Sequence, residues 1–446
     1  MSTTRAKIAN ILNIAIPSAL QSGLDMLNLF IALFFLSNIS PLYFTALSLG
    51  ANYIIIFYPV SAIFGIGANV LMSRRYGAKN YTEMNEVCST MLYSALIFCI
   101  PLLLVSYIGI PLYLQALDLS YELYSLSYSY VLITIFAIPA IMVKNIIISA
   151  FAATGDTKPP FYIKIVMTCL SIIGNSILIN GAFGIDSMGL FGAAAISVFI
   201  SYLELLALFL LIKFSKTRLE LLLVFRWIFL KNGLKVAIPT GLERIFTIIS
   251  LNVILIFVGK YAEIYGDSAI NGFQAGAKIE SFAFVPGFSF MLAIMSLMGQ
   301  CIGVKDYKLA FEYTKLCAIL SSIILGLCGI LLAVFARPLS LIFMSKDLIA
   351  VDISAMYLII IGLSQIPLIL SFVYDGALRG AGWTQIPLFV NIISISLFRL
   401  LPMLIATSQD WHLYSLFVII FIETYIRAAI FYIIFRSGVW QKKRNL

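Results

Sequence analysis

Six carboxylates, Asp25, Glu204, Glu243, Glu280, Asp375 and Glu423, stand inside long apolar stretches of the chain. A charge at membrane depth is costly unless it faces a cavity or a partner. Each of these acids is therefore expected to be half of an ion pair or a group that binds and releases a cation. Gln21, Asp25 and Asn28 are spaced i, i+4, i+7, which puts them on one helical face. Glu243, Thr247 and Ser250 repeat that stripe 222 residues later. Asp25 has no basic neighbour in its own segment and is the deepest of the six by count. A carboxyl there can be neutral with a proton bound, or charged when it faces water or holds Na⁺. Asp25 is thus the first candidate for ion coupling, with Glu243, Glu280 and Asp375 beside it.

Structural roles compete with coupling at most of these positions. Glu243 adjoins Arg244, and Lys278 with Glu280 lies in the next segment, so an ion-pair network joining Glu243 to Lys278 is one expectation. Glu423 and Arg427 form an i, i+4 pair. Glu204 can pair with Lys144 or Lys164, and Asp375 can cap a helix end or pair with Arg379.

Covalent chemistry has little to work with. The single His412 sits beside Trp411 in a predicted outer loop, so neither a Ser/His/Asp triad nor a His metal site can be assembled in the membrane. Six cysteines are scattered without CxxC or CxxxC spacing and read as small apolar fillers. Gly65-Ile66-Gly67 opens no phosphate-binding loop. No catalytic residue, metal or cofactor is expected beyond a coupling H⁺ or Na⁺.

The elements that must carry the acids are membrane helices. Hydrophobic residues make up 62% of the chain and charged residues 11%, with a mean hydropathy of +1.04; ordinary globular domains are about half apolar and about a quarter charged. Apolar runs long enough to cross a ~30 Å hydrocarbon core fall near 13–36, 44–70, 88–110, 124–152, 160–181, 188–213, 233–258, 268–299, 314–336, 350–378, 386–407 and 413–436. They predict an all-α polytopic protein of about twelve transmembrane helices. The first run holds Pro17, Gln21 and Asp25 and lacks a small-residue cleavage pattern, so it is expected to stay as a helix rather than leave as a signal peptide.

Alternate loops carry nearly all the basic residues, among them Arg74, Arg75, Lys79, Lys158, Lys216, Arg226, Lys305, Lys308, Arg379, Lys442, Lys443 and Arg444; the other set holds only Lys260, Arg337 and Lys346. The positive-inside rule puts the first set and both termini in the cytoplasm of a bacterial inner membrane. The net charge of +9 then reflects an anionic membrane face, and no nucleic-acid partner is implied.

The second half repeats the first. Ile16-Pro17-Ser18-Ala19-Leu20-Gln21 recurs as Ile238-Pro239-Thr240-Gly241-Leu242-Glu243, and Gly155-Asp156-Thr157-Lys158-Pro159-Pro160 recurs as Gly382-Trp383-Thr384-Gln385-Ile386-Pro387, at offsets of 222 and 227. A duplicated membrane bundle is the build of many secondary transporters. Two six-helix lobes are expected, 1–213 and 233–446, joined by a cytoplasmic linker over 214–232. Leu221 to Trp227 in that linker reads as an interfacial amphipathic segment and the linker as a tether that lets the lobes rock.

The stretch from Ala269 to Gly287 (Ala-Ile-Asn-Gly-Phe-Gln-Ala-Gly-Ala-Lys-Ile-Glu-Ser-Phe-Ala-Phe-Val-Pro-Gly), followed by Gly299-Gln300-Cys301-Ile302-Gly303, resembles a signature of multidrug and toxic compound extrusion (MATE) transporters. Ala377 to Gly382, Gly65-Ile66-Gly67 with Ser73 to Ala78, and Ala153 to Lys158 resemble other recurrent stretches of that family. The resemblance covers essentially the whole chain. It implies a monomeric efflux pump that exchanges Na⁺ or H⁺ for amphipathic, often cationic compounds through a cleft between two lobes, with membrane lipids as its surroundings. A lipid-linked oligosaccharide flippase of the same superfamily is the alternative. It should carry Arg and Lys at membrane depth, whereas embedded bases here are few and mostly have acids nearby. By the same resemblance Gln274, Lys278, Tyr53, Tyr58, Phe246, Phe273, Phe282 and Phe284 border the cleft, where ring faces could hold flat cations.

The departures from the family are specific. Its usual coupling acids fall on Ala32, Asn175, Thr247 and Leu368. Ala32 continues the stripe of Asp25, about two turns along the same face, so relocation of the coupling group to Asp25 is expected.

Overall fold

The computed structural model describes residues 3–181, 184, 186–214, 218–344 and 346–441. Lys216, Lys442, Lys443 and Arg444 lie outside the described residues, as do residues 215–217 of the expected linker. Backbone polar groups have no water to bond in a bilayer core, so the apolar runs resolve as helices that satisfy themselves. Among the described residues ten helices are long and apolar enough to cross a membrane, and two further spans are helix pairs bent by 44° and 56°. In chain order these are α1 (Thr4–Ser37), α2 (Pro41–Ile56 with Tyr58–Gly77), α3 (Tyr81–Gln115), α4 (Tyr121–Thr154), α5 (Lys158–Asn180), α6 (Gly189–Lys213), α7 (Trp227–Gly259), α8 (Ser268–Gly303), α9 (Tyr307–Val334), α10 (Leu348–Gly362 with Gln365–Gly380), α11 (Gln385–Ser408) and α12 (Tyr414–Arg436). The all-α expectation stands, with no strand among the described residues. α1 begins well before the apolar run that announced it, because Thr4 to Leu12 continues the same helix.

The duplication is written into the turns as well as the spans. Between α2 and α3 the chain turns through Lys79 at φ 59, and Asn80 then caps Glu83 N at 3.2 Å. Between α8 and α9 it turns through Lys305 at φ 60, and Asp306 caps Leu309 N at 2.9 Å. Gly155 after α4 and Gly382 after α10 adopt φ 86 and φ 85, a left-handed backbone that a side chain would strain.

Two compact units emerge: residues 17–237, and residues 1–16 with 238–446. The limits differ from the expected 1–213 and 233–446, because α1 and α7 each pass from one unit to the other at their prolines. In the first unit the opening of α7 packs on α2, with the Arg75 guanidinium 4.7 Å from the Phe229 ring centroid. In the second, Ile11, Ile14 and Ala15 of α1 are buried in a core with Ile294, Met298 and Ala377. There Lys7 also pairs with Glu312, and Asn10 donates to the Tyr313 hydroxyl at 2.8 Å.

The described part of the linker, which includes the expected interfacial amphipathic segment, is not helical before Trp227. Residues 218–226 take up no regular secondary structure, with Arg218 at φ 57, and are hydrogen-bonded to α3. Asn85 clasps both sides of the strap, donating to Arg218 O at 3.1 Å and accepting from Glu220 N at 3.2 Å. Ser89 accepts from Leu222 N at 2.8 Å, Thr90 accepts from Arg226 N at 3.2 Å, and Arg226 pairs with Glu86 at 2.7 Å. Backbone groups that a helix would have satisfied internally are satisfied by a polar ladder on α3 instead.

Candidate functional site

In the unit of residues 17–237 the acids and bases form one chain. Lys164 of α5 is buried and pairs with Asp25 of α1 at 2.5 Å and with Glu204 of α6 at 3.3 Å. Glu204 also accepts from Lys144 of α4 at 2.8 Å, so both sequence-based partners of Glu204 are present. The expectation for Asp25 needs correction: its side chain is 57% exposed, and its partner comes from another helix. Sequence distance concealed that partner. One signal could have found it, since Lys164, Thr168, Ser171 and Asn175 recur at helical spacing and make α5 a polar stripe. Asn28 donates to Thr168 Oγ1 at 3.3 Å, and Asn175 donates to Ser171 Oγ at 3.3 Å. The carbonyl oxygens of both asparagines are buried without a donor. They can take a water, an ammonium group or a cation. Gln21 and Ala32 are buried on the α1 face. Tyr53 is also buried; its hydroxyl donates to Ser106 O and its ring meets Tyr113 at 5.1 Å, so no ring face is open.

In the other unit three clusters hold the remaining acids. Arg379 of α10 donates to Asp375, to Glu243 of α7 and to Thr240, and Asn391 of α11 adds a bond to Glu243 at 2.8 Å. Asp375 thus has the Arg379 partner expected for it, but the expected pairing of Glu243 with Lys278 is wrong. Arg379 has a fixed fork that serves two carboxylates at once, while Lys278 is exposed on α8. Glu423 of α12 pairs with Arg427 at 3.3 Å as expected, and also with Arg399, while Ser394 donates to it at 2.7 Å. Residues 396–400 of α11 form a π-helical turn. Pro402 has no N–H to continue the ladder, and the wider turn carries Arg399.

Glu280 of α8 stands apart. It is buried, and it accepts from the Tyr357 hydroxyl at 2.6 Å and from Gln365 Nε2 at 3.3 Å. Among the described residues no base lies within ion-pair distance of it. Glu280 therefore has no bonded cation, and Arg399 of the Glu423 cluster is the base whose charge reaches it from beyond ion-pair distance. The expected pairing of Lys278 with this region does not form.

Phe273 is buried in aromatic packing, 5.4 Å from the Tyr357 ring and 6.2 Å from Phe417. That placement orients Tyr357 toward Glu280 and gives Phe273 no open face for a substrate. Gln274, Lys278 and Phe282 remain exposed on one face of α8 at four-residue spacing. Phe246 and Thr247 are half-buried on α7, with the Thr247 hydroxyl donating to Glu243 O at 2.9 Å. Leu368 is buried.

A duplicated all-α chain with this many membrane-crossing helices is an integral membrane protein. The family model MatE matches it twice, over 17–177 and 239–405, each copy opening at or beside the proline of a repeated stripe. The class is that of membrane transporters, and more narrowly the chain belongs to the MatE family, the multidrug and toxic compound extrusion transporters. A probable multidrug resistance protein NorM of Thermotoga maritima is 26% identical over 386 residues, spanning 85% of this chain and 82% of that protein. Among solved structures, an outward-facing multidrug resistance MATE family transporter of the MOP superfamily aligns with a TM-score of 0.90 at 17% identity, covering 98% of this chain and 97% of that one. A MOP superfamily transporter from Pyrococcus furiosus, described as having a binding pocket of reverse polarity, aligns with a TM-score of 0.90 at 16% identity over the same shares. At these identities the likeness is one of fold.

Proposed function

We propose that this chain exports amphipathic, often cationic compounds by alternating access in exchange for protons, and that Glu280 takes up the proton. The observation that carries the choice of ion is the setting of Glu280: buried, held by two donors, and with no base within ion-pair distance among the described residues. A buried carboxylate without a bonded cation is costlier than its neutral form, which supports a proton as the ion it binds. Turning the Gln365 amide half a rotation lets its orphaned Oε1 accept from protonated Glu280, so both protonation states can be held. A Na⁺ ion calls for several converging oxygens, and Gln365 Oε1 is the spare acceptor beside Glu280.

In proteoliposomes holding the whole chain, an imposed pH gradient is expected to drive uptake or release of a fluorescent amphipathic cation, and a Na⁺ gradient at equal pH is not. Transport driven by Na⁺ alone would move the coupling to the first unit. The exposed Asp25 carboxylate, at the open end of its ion-pair chain, is the complementary element. Asp25→Asn is expected to cost about 1–3 kcal/mol, because it takes one charged partner from the buried Lys164 while Lys164 keeps Glu204. It should nonetheless abolish pH-driven export of cations. Wild-type export by this variant at every external pH would remove Asp25 from the mechanism.

The proposed setting is a bacterial inner membrane with both termini in the cytoplasm, and a single chain as the working unit. In a cysteine-free background, a cysteine at Asn80 or Lys305 should resist a membrane-impermeant thiol reagent added to intact cells, and one at Asp118 or Asp410 should react. Labelling of the first pair from outside would reverse the orientation.

A further inference from the structure

We infer that the unit of residues 238–446 carries a lateral binding site for an anionic phospholipid. A groove of about 610 Å³ opens where α9, α10 and α12 meet. Lys315 of α9 and Arg436, the last residue of α12, stand at one end of it, and Ile319, Ile323 and Leu370 line the rest. Lys315, Ile319 and Ile323 follow one another at single-turn spacing, so the apolar floor extends about 12 Å from the lysine along the helix. The cation end lies toward the start of α9 and the end of α12: Arg436 sits over Phe311, one turn before Lys315, and the Tyr307 ring at the start of α9 is 6.1 Å from Trp440 just beyond α12. The basic end is therefore the membrane–water boundary and the apolar floor points toward the bilayer interior.

Both cations are exposed and available. Neither has a carboxylate within ion-pair distance among the described residues, and the acid nearest in sequence, Glu312, is held by Lys7. Arg436 is poised by its stacking contact with Phe311, 5.9 Å from guanidinium to ring centroid. Tyr432, also in the lining and exposed, adds a hydroxyl that can donate to a phosphate or ester oxygen. Two unpaired bases over a floor of exposed isoleucines match a phosphodiester headgroup with an acyl chain below it. A zwitterionic lipid would present its own cation to the same two bases. The orientation proposed above puts the site in the cytoplasmic leaflet; the lipid chemistry does not depend on it.

The test is retention of lipid by the full chain purified in detergent, read by native mass spectrometry with phosphatidylglycerol and phosphatidylcholine of identical chains. Wild type is expected to retain phosphatidylglycerol preferentially. Lys315→Gln with Arg436→Gln should weaken that retention about thirtyfold, taking roughly one juxtamembrane charge's worth from each base, while phosphatidylcholine retention and the lipid-free melting temperature stay as in wild type. Ile319→Trp, which fills the floor and keeps both bases, should also lose phosphatidylglycerol. Equal retention of the two lipids by wild type, or wild-type retention by the double variant, would overturn the proposal. So would equal competition by the soluble headgroup glycerophosphoglycerol, which would make this a small-anion site.

Discussion

Arg379→Gln is expected to abolish or sharply reduce the folded protein. Arg379 is 2% exposed and donates to three partners on two helices, including both oxygens of Asp375. Without it a buried Asp375 and a half-buried Glu243 remain as two acids in one site. Breaking a buried ion pair by removing one partner costs about 3–5 kcal/mol, set against a total stability on the order of 5–15 kcal/mol. Glu243→Gln should cost less, about 1–3 kcal/mol, since Asp375 still neutralises Arg379 and Asn391 can still bond the new amide. Lys278→Met should change nothing in the melting temperature, because no acid lies within ion-pair distance of Lys278 among the described residues. Thermal melting of the three variants in detergent checks the order. A Lys278→Met variant that melts as low as Arg379→Gln would contradict the Arg379 assignment.

Glu280→Gln is expected to keep its fold and lose pH-driven export. Glutamine has the shape and charge of the protonated acid and can still accept from Tyr357, so the packing around Phe273 and Phe417 survives. What it lacks is a proton to release, and a two-state element that cannot change charge cannot be biased by a pH gradient. Substrate binding by the purified variant should persist while uptake in proteoliposomes falls to the rate without a gradient. Tyr357→Phe should act in the same direction but less completely, since it removes one hydrogen bond and leaves the carboxyl. Full pH-driven transport by Glu280→Gln would exclude Glu280 as the proton carrier.

Much of the architecture could be read from composition and spacing. Long apolar runs, alternating basic loops and two short repeats were enough to foresee the helices and the duplication, because membrane helices bury their backbone locally and announce themselves in contiguous sequence. Pairing between helices is different. The partners of Glu423 and Asp375 lie four residues away and were visible as helical neighbours. Those of Asp25 and Glu243 lie more than a hundred residues away, and no local pattern ties them together. For Glu243 the sequence points to Lys278 in the next segment, whereas three-dimensional packing supplies Arg379, 136 residues away. Aromatic residues misled for a related reason: Phe273 and Tyr53 sit on helices the family resemblance placed beside a cleft, but the faces they occupy are interior.

The exchange of helix openings has a practical corollary. Residues 1–16 complete the unit built from the second repeat, and the equivalent opening of α7, residues 227–237, completes the unit built from the first. Each repeat therefore lends its leading arm to the other, which is the pattern of a domain-swapped pair fused into one chain. A fragment ending before α7 lacks residues 227–237, whose Phe229, Val236 and Ala237 are buried in the first unit. Any dissection of this transporter into halves must carry both halves, or graft the missing arm back.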